Sequence, residues 1–235
     1  MSGESRKARA AAARKAMETA RKRDRRRRHL FTGGIVGVVV LVVVGVVLAL
    51  TLHRSSPASA AAAGIPSSPA ATAQGRTDPP PWAVPADPAA HVRAAGLPML
   101  GTEGTVEHIH AHLDISVNGQ PVVVPALIGI DETTGELSPL HTHDTSGVIH
   151  VESPVQADFS LGQVFTEWQV SLSGDHIGSL KTGNGEELHA YVNGKLQQGD
   201  PAGIVLHAHD EIALVYGTAA QQANPPATFT FPAGL

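Results

Sequence analysis

Between Glu107 and Asn118 the chain reads EHIHAHLDISVN, and from His108 to Asp114 every second residue is a potential metal ligand: His108, His110, His112 and Asp114. The residues between and after them are Ile109, Ala111, Leu113 and Ile115. Successive side chains of a strand point to opposite faces, so a period of two predicts a β-strand with an apolar face for a core and a second face of imidazole and carboxylate. A helix would scatter the same ligands around its circumference. The strand therefore offers a chelating edge before any other part of the chain is considered.

Further ligand pairs at the same spacing follow at His141/His143, His150/Glu152 and His207/His209. Of 13 histidines, only His29, His53, His91, His176 and His189 lie outside these clusters, and each cluster sits in a strand-like pattern rather than a His-rich low-complexity tract. The central segment LHTHDTSGVIHVESP, residues 140–154, has turn composition at Asp144, Thr145, Ser146 and Gly147. A hairpin there brings His141, His143, His150 and Glu152 together. Imidazole nitrogen and carboxylate oxygen suit a borderline divalent ion, Zn²⁺ or Cu²⁺ first, with Fe²⁺, Ni²⁺ and Mn²⁺ also compatible. The chain has no cysteine, which excludes thiolate sites, iron-sulfur clusters, blue-copper chemistry and a disulfide framework.

Charge is distributed unevenly. Residues 1–29 hold 12 Lys/Arg against 3 Asp/Glu, and residues 53–235 hold 5 against 18. Between them LFTGGIVGVVVLVVVGVVLALTL, residues 30–52, carries no charge and is long enough to cross a hydrocarbon core of about 30 Å as a helix. The block Arg25 to Arg28 before it predicts a cytoplasmic amino terminus and an extracytoplasmic carboxyl-terminal domain. Two processing readings compete with this single-pass anchor: peptidase cleavage near Ala58 to Gly64, and twin-arginine export through Arg27 and Arg28. The basic tail reads as a helix beside anionic lipid. Nucleic-acid binding is not expected, because no aromatic residue interleaves its cations.

Residues 53–104 are rich in Pro, Ala and Ser and read as a semi-extended stalk. The folded domain is expected over 105–217, with residues 218–235 a tail that adds one edge strand through Ala227 to Phe231. Asn118-Gly119 and Asn193-Gly194 are hairpin turns, the first followed by a return strand, PVVVPALIGI. Val148 to Ser153, Ile204 to His207 and Glu211 to Tyr216 read as strands. Ser160 with Gln163 forms a capping box and Phe159 with Val164 a hydrophobic staple, which places a helix over 161–168. Helix on sheet implies an α+β domain of β-grasp-like arrangement, with a small β-sandwich or barrel as the alternative.

Enzyme motifs are sparse. Gly135 followed by His141 and His143 opens like a cupin motif, but Gly147 and Val148 stand where that motif has its Glu. His112 and Asp114 match part of a facial triad, but no Arg follows Arg93 to anchor an oxo-acid cosubstrate. There is no nucleophile elbow, P-loop or H-E-x-x-H helix. The stretch from His108 to Trp168, above all LHTHDTSGVIHVESP, resembles a family of membrane-anchored, extracytoplasmic, His-rich bacterial proteins. That resemblance implies an extracytoplasmic location and leaves the activity open.

The sequence thus points to a single-pass membrane protein whose outer domain binds a divalent transition metal for capture, buffering or handover. The candidate ligands are His108, His110, His112, Asp114, His141, His143, His150, Glu152, His207 and His209. A metal-dependent enzyme and a pH-sensing or other non-metal interaction module are the alternatives.

Overall fold

The structure is a computed structural model, and it describes residues 57–222 and 224–235. The basic tail and the span expected over 30–52 lie outside those residues. Among the described residues no helix is long and apolar enough to cross a membrane.

The described chain is built on a mixed β-sheet with few helices. Its strands are β1 (Glu107–Val117), β2 (Gln120–Val122), β3 (Ile130–Asp131), β4 (Glu136–Leu137), β5 (Leu140–His141), β6 (Val148–Ser153), β7 (Leu172–Ser173), β8 (His176–Ile177), β9 (Leu180–Lys181), β10 (Glu187–Val192), β11 (Lys195–Leu196) and β12 (Glu211–Gly217). The main sheet has the order β11-β10-β12-β1-β6-β5, with β2 also on β1. β1 lies parallel to β12 and antiparallel to β6. β3 with β4, and β7 with β8 and β9, form small separate ladders.

Both Asn-Gly turns have positive φ at both residues, 53° and 76° at Asn118 and Gly119 and 51° and 73° at Asn193 and Gly194. This left-handed pair matches the twist of a hairpin, and Asn and Gly adopt it at least cost. The helix Leu161–Glu167 begins on a complete capping box: the Ser160 side chain accepts from the Gln163 amide, and the Gln163 side chain accepts from the Ser160 amide. Its residues Leu161, Val164 and Phe165, with the C-cap Trp168, join Leu113, Ile115, Ile149, Val151, Ile212 and Leu214 in one core. The odd-numbered face of β1 is therefore the core face.

Four expectations need correction. The stretch expected to be a stalk is folded from Pro57 onward: it forms helices Pro57–Ala62 and Pro88–Ala94 and buries Ile65, Trp82, Val92 and Leu97 in the core. Trp82 is only 2% exposed, packs edge-on against Trp168 at 5.7 Å, and gives its carbonyl to the Trp168 indole N–H at 3.1 Å. Proline-rich chain has little entropy to lose on ordering, so a few well-placed apolar side chains suffice to hold it on a preformed surface. The PVVVPALIGI return strand pairs only through Gln120 to Val122, ahead of Pro125, which lacks a donor, and of Leu127, which turns at φ 68°. Ile204 to His207 is not a strand; Pro201–Gly203 forms a 3-10 turn and Val205 makes a single bridge to Ser160. Ala227 to Phe231 adds no edge strand, and its Phe229 ring instead stacks on His112 with centroids 3.7 Å apart.

Candidate metal centre

The register places a row of imidazoles across three neighbouring strands. His110 on β1 is opposite His150 on β6, and His150 is opposite His141 on β5; His108 is opposite Glu152. Residues directly opposite on one face have Cβ atoms about 4.5–5.5 Å apart, so the rings must meet. Ring centroids are 4.5 Å apart for His110 and His150 and 5.2 Å for His141 and His150. His143, just past β5, closes over the row at 4.7 Å from His141 and 4.6 Å from His150.

His141, His143 and His150 each turn one nitrogen into a space where these atoms lie within 4.8 Å of one another. His141 Nε2 and His143 Nε2 are 3.1 Å apart. A tetrahedral ion with bonds of about 2.0–2.1 Å holds neighbouring ligand nitrogens about 3.3–3.4 Å apart, so this pair is near a coordination edge. The second ring nitrogens of His141 and His150 are fixed from behind. His141 Nδ1 faces the Ser138 carbonyl at 2.9 Å, which can only accept, so the proton sits on Nδ1 and Nε2 keeps its lone pair. His150 Nδ1 likewise faces Glu152 Oε1 at 3.1 Å. Burial pushes His141 down to about 3, with the neighbouring rings of His143, His150 and His110 adding to the shift. Burial and surrounding histidines also hold His150 and His110 at about 4. These imidazoles are neutral at physiological pH, the form that binds metal.

Two further groups flank this one. His108, His110 and Glu152 converge on one side, and Glu103, His141 and Glu152 on another. His110 Nε2 and Glu152 Oε2 are buried without a hydrogen-bond partner. Burial, followed by the nearby Glu103 charge, raises the Glu152 pKa. His110 and Glu152 thus form a buried polar patch with unmet bonding capacity, which a cation would complete.

His112 and Asp114 lie apart from the row. The parallel register sets His112 beside Glu211, with Nδ1 2.7 Å from Glu211 Oε2, while Nε2 is 2.8 Å from the Ser146 carbonyl. With Glu211 ionised both neighbours are acceptors, and the ring that satisfies both is the imidazolium. Burial alone would lower its pKa, but the Glu211 hydrogen bond and charge, with the Ser146 carbonyl, outweigh burial and raise it. Gly147 is required beside this ring: its φ is 88°, and a Cβ there would stand 2.6 Å from the Leu113 carbonyl and 2.9 Å from His112 Nε2. Asp114 Oδ2 is 3.9 Å from His112 Nδ1, and His112, Asp114 and Glu211 form a separate converging group.

His207 and His209 join none of the converging groups among the described residues. His207 is exposed beside Asp210, and the His209 ring lies against Phe231 and the Leu235 carbonyl. Two carboxylates escaped the sequence reading. Glu103, 3.6 Å from His143 Nε2, lies in the stretch expected to be a stalk, and Glu211 meets His112 only through a parallel pairing 99 residues apart.

No family model matches the chain, and searches of curated proteins and of solved structures give no match.

Proposed function

We propose that this is a single-pass membrane protein whose extracytoplasmic domain binds a divalent transition metal, Zn²⁺ or Cu²⁺ first, for capture, buffering or handover. The observation that carries the metal assignment is the convergence of His141, His143 and His150, with His141 and His150 held in the ligating tautomer by Ser138 and Glu152. Exposed histidines on a polar face would have no need of that support. Bound there, the ion would gain a three-imidazole shell with a further position for water, Glu103 or a recipient's ligand. The half-exposed His143 gives such a shell a side open to solvent, which suits loading and release.

Calorimetric titration of wild type and a His141→Ala/His143→Ala double variant with Zn²⁺ and Cu²⁺ tests this. The double variant should bind far more weakly; equal affinities would leave only a polar face. Location rests on the apolar run 30–52, the Arg25 to Arg28 block and the family resemblance. A reporter fused after Leu235 should be active only outside the cytoplasm, and cytoplasmic activity would reverse the topology. For the fold, we infer a β-grasp-type α+β arrangement from the order β6-β1-β12-β10, its parallel central pair, and the helix between the two hairpins. An experimental structure in which β1 and β12 are not parallel neighbours would remove that assignment.

A further inference from the structure

The three-imidazole centre leaves His108 and His110 unused, yet two buried atoms without a hydrogen-bond partner lie on their side. His110 Nε2 and Glu152 Oε2 have no hydrogen-bond partner although their residues are 4% and 3% exposed. Stranding two such groups in one spot is costly, and the other Glu152 oxygen, Oε1, stands 4.0 Å from His110 Nε2, beyond hydrogen-bond reach. His108 Nε2 reaches the same oxygen at 3.3 Å from the edge of the site. The ligand atoms of His108, His110 and Glu152 lie within 4.8 Å of one another, and Glu152 also lies within that range of His141 and Glu103. Glu152 therefore stands between two clusters of donors.

One ion cannot serve both. A tetrahedral shell takes four donors about 3.3–3.4 Å apart. The two groups together offer six side chains, His141, His143 and His150 in one and His108, His110 and Glu152 in the other. Resting on the reading of the His141 centre as a metal site, we infer that the same sheet face holds a second divalent cation, bound by His108, His110 and Glu152, with the Glu152 carboxylate shared between the two ions. A carboxylate bridge spans a metal pair about 3.5–4 Å apart, and its negative charge offsets the repulsion of two cations. The β1–β6 register builds this directly, since it sets His108 opposite Glu152 and His110 opposite His150. Five histidines and one buried carboxylate on a single face then form a two-ion centre open on the His108 and His143 sides.

The test is zinc stoichiometry of the full chain in detergent, by calorimetry and by atomic absorption after desalting. Wild type should bind two equivalents, and His108→Ala and His110→Ala should each retain one. His108 is half-exposed, so its replacement leaves the core intact. Asp114→Asn should leave the count at two, and a loss there with none in His108→Ala would assign the second ion to the His112 group and overturn the inference. One equivalent in wild type, unchanged in His108→Ala, would overturn the second site and leave the His141 centre standing. No binding in wild type would overturn both.

Discussion

Acid should weaken metal binding far less than it would for ordinary histidine ligands. Protons compete with metal for imidazole, and a ligand of pKa 6.5 loses about eightfold in availability between pH 6 and pH 5. Three such ligands would lose about 500-fold over that unit. Here burial, helped by neighbouring rings, holds His141 at about 3 and His150 at about 4, so both remain almost wholly deprotonated at pH 5. With these two imidazoles held free of protons, the loss over that unit should fall far below about 500-fold. Zn²⁺ affinity measured by competition with a chelator at pH 6 and pH 5, with folding followed through the fluorescence of Trp82 and Trp168, separates the two. A loss of several hundredfold from a still-folded domain would refute burial as the device that keeps these ligands ready.

Three other perturbations address the supporting structure. Trp82→Ala should destabilise the domain by about 3–5 kcal/mol in thermal or denaturant unfolding, since Trp82 is buried against Trp168; a loss below about 0.5 kcal/mol would return this segment to a stalk. Ser160→Ala should cost about 1 kcal/mol in the same assay through loss of the cap on Gln163, and an unchanged midpoint would show that the capping box contributes nothing. The raised pKa of His112 means that its pairing with Glu211 stabilises the fold fully below the unfolded value near 6.5 and is lost as pH rises through the folded value. An NMR titration should show the His112 ring titrating above 6.5 and moving down in Glu211→Gln, and a His112 that titrates below 6.5 would contradict the imidazolium assignment.

What could be read from sequence was local. The period of two in β1, the paired apolar and ligand positions of β6, both Asn-Gly turns and the capping box at Ser160 each declare themselves within a dozen residues. The meeting of His141 with His150 follows from a short hairpin and was open to the same reasoning. The parallel pairing of β1 with β12 has no local signal, so the sequence suggests one ligand face where the structure separates His112, locked to Glu211, from the row His108, His110, His150 and His141. Composition misled over 57–104, where sparse apolar residues such as Trp82 and Val92 find a prepared surface rather than building their own core. His207 and His209 repeat the spacing of a ligand pair but sit in a turn, where alternation no longer places side chains on one face.

Zinc-edge X-ray absorption on the metal-loaded protein tests the central claim most directly. Nitrogen and oxygen scatterers at about 2.0–2.1 Å should carry the multiple-scattering signature of imidazole, and the number of zinc-bound imidazoles per protein should fall by about half or more in the His141→Ala/His143→Ala variant. Zinc bound without imidazole, or an imidazole signal unchanged by the double substitution, would contradict the assignment of His141, His143 and His150 as the metal centre.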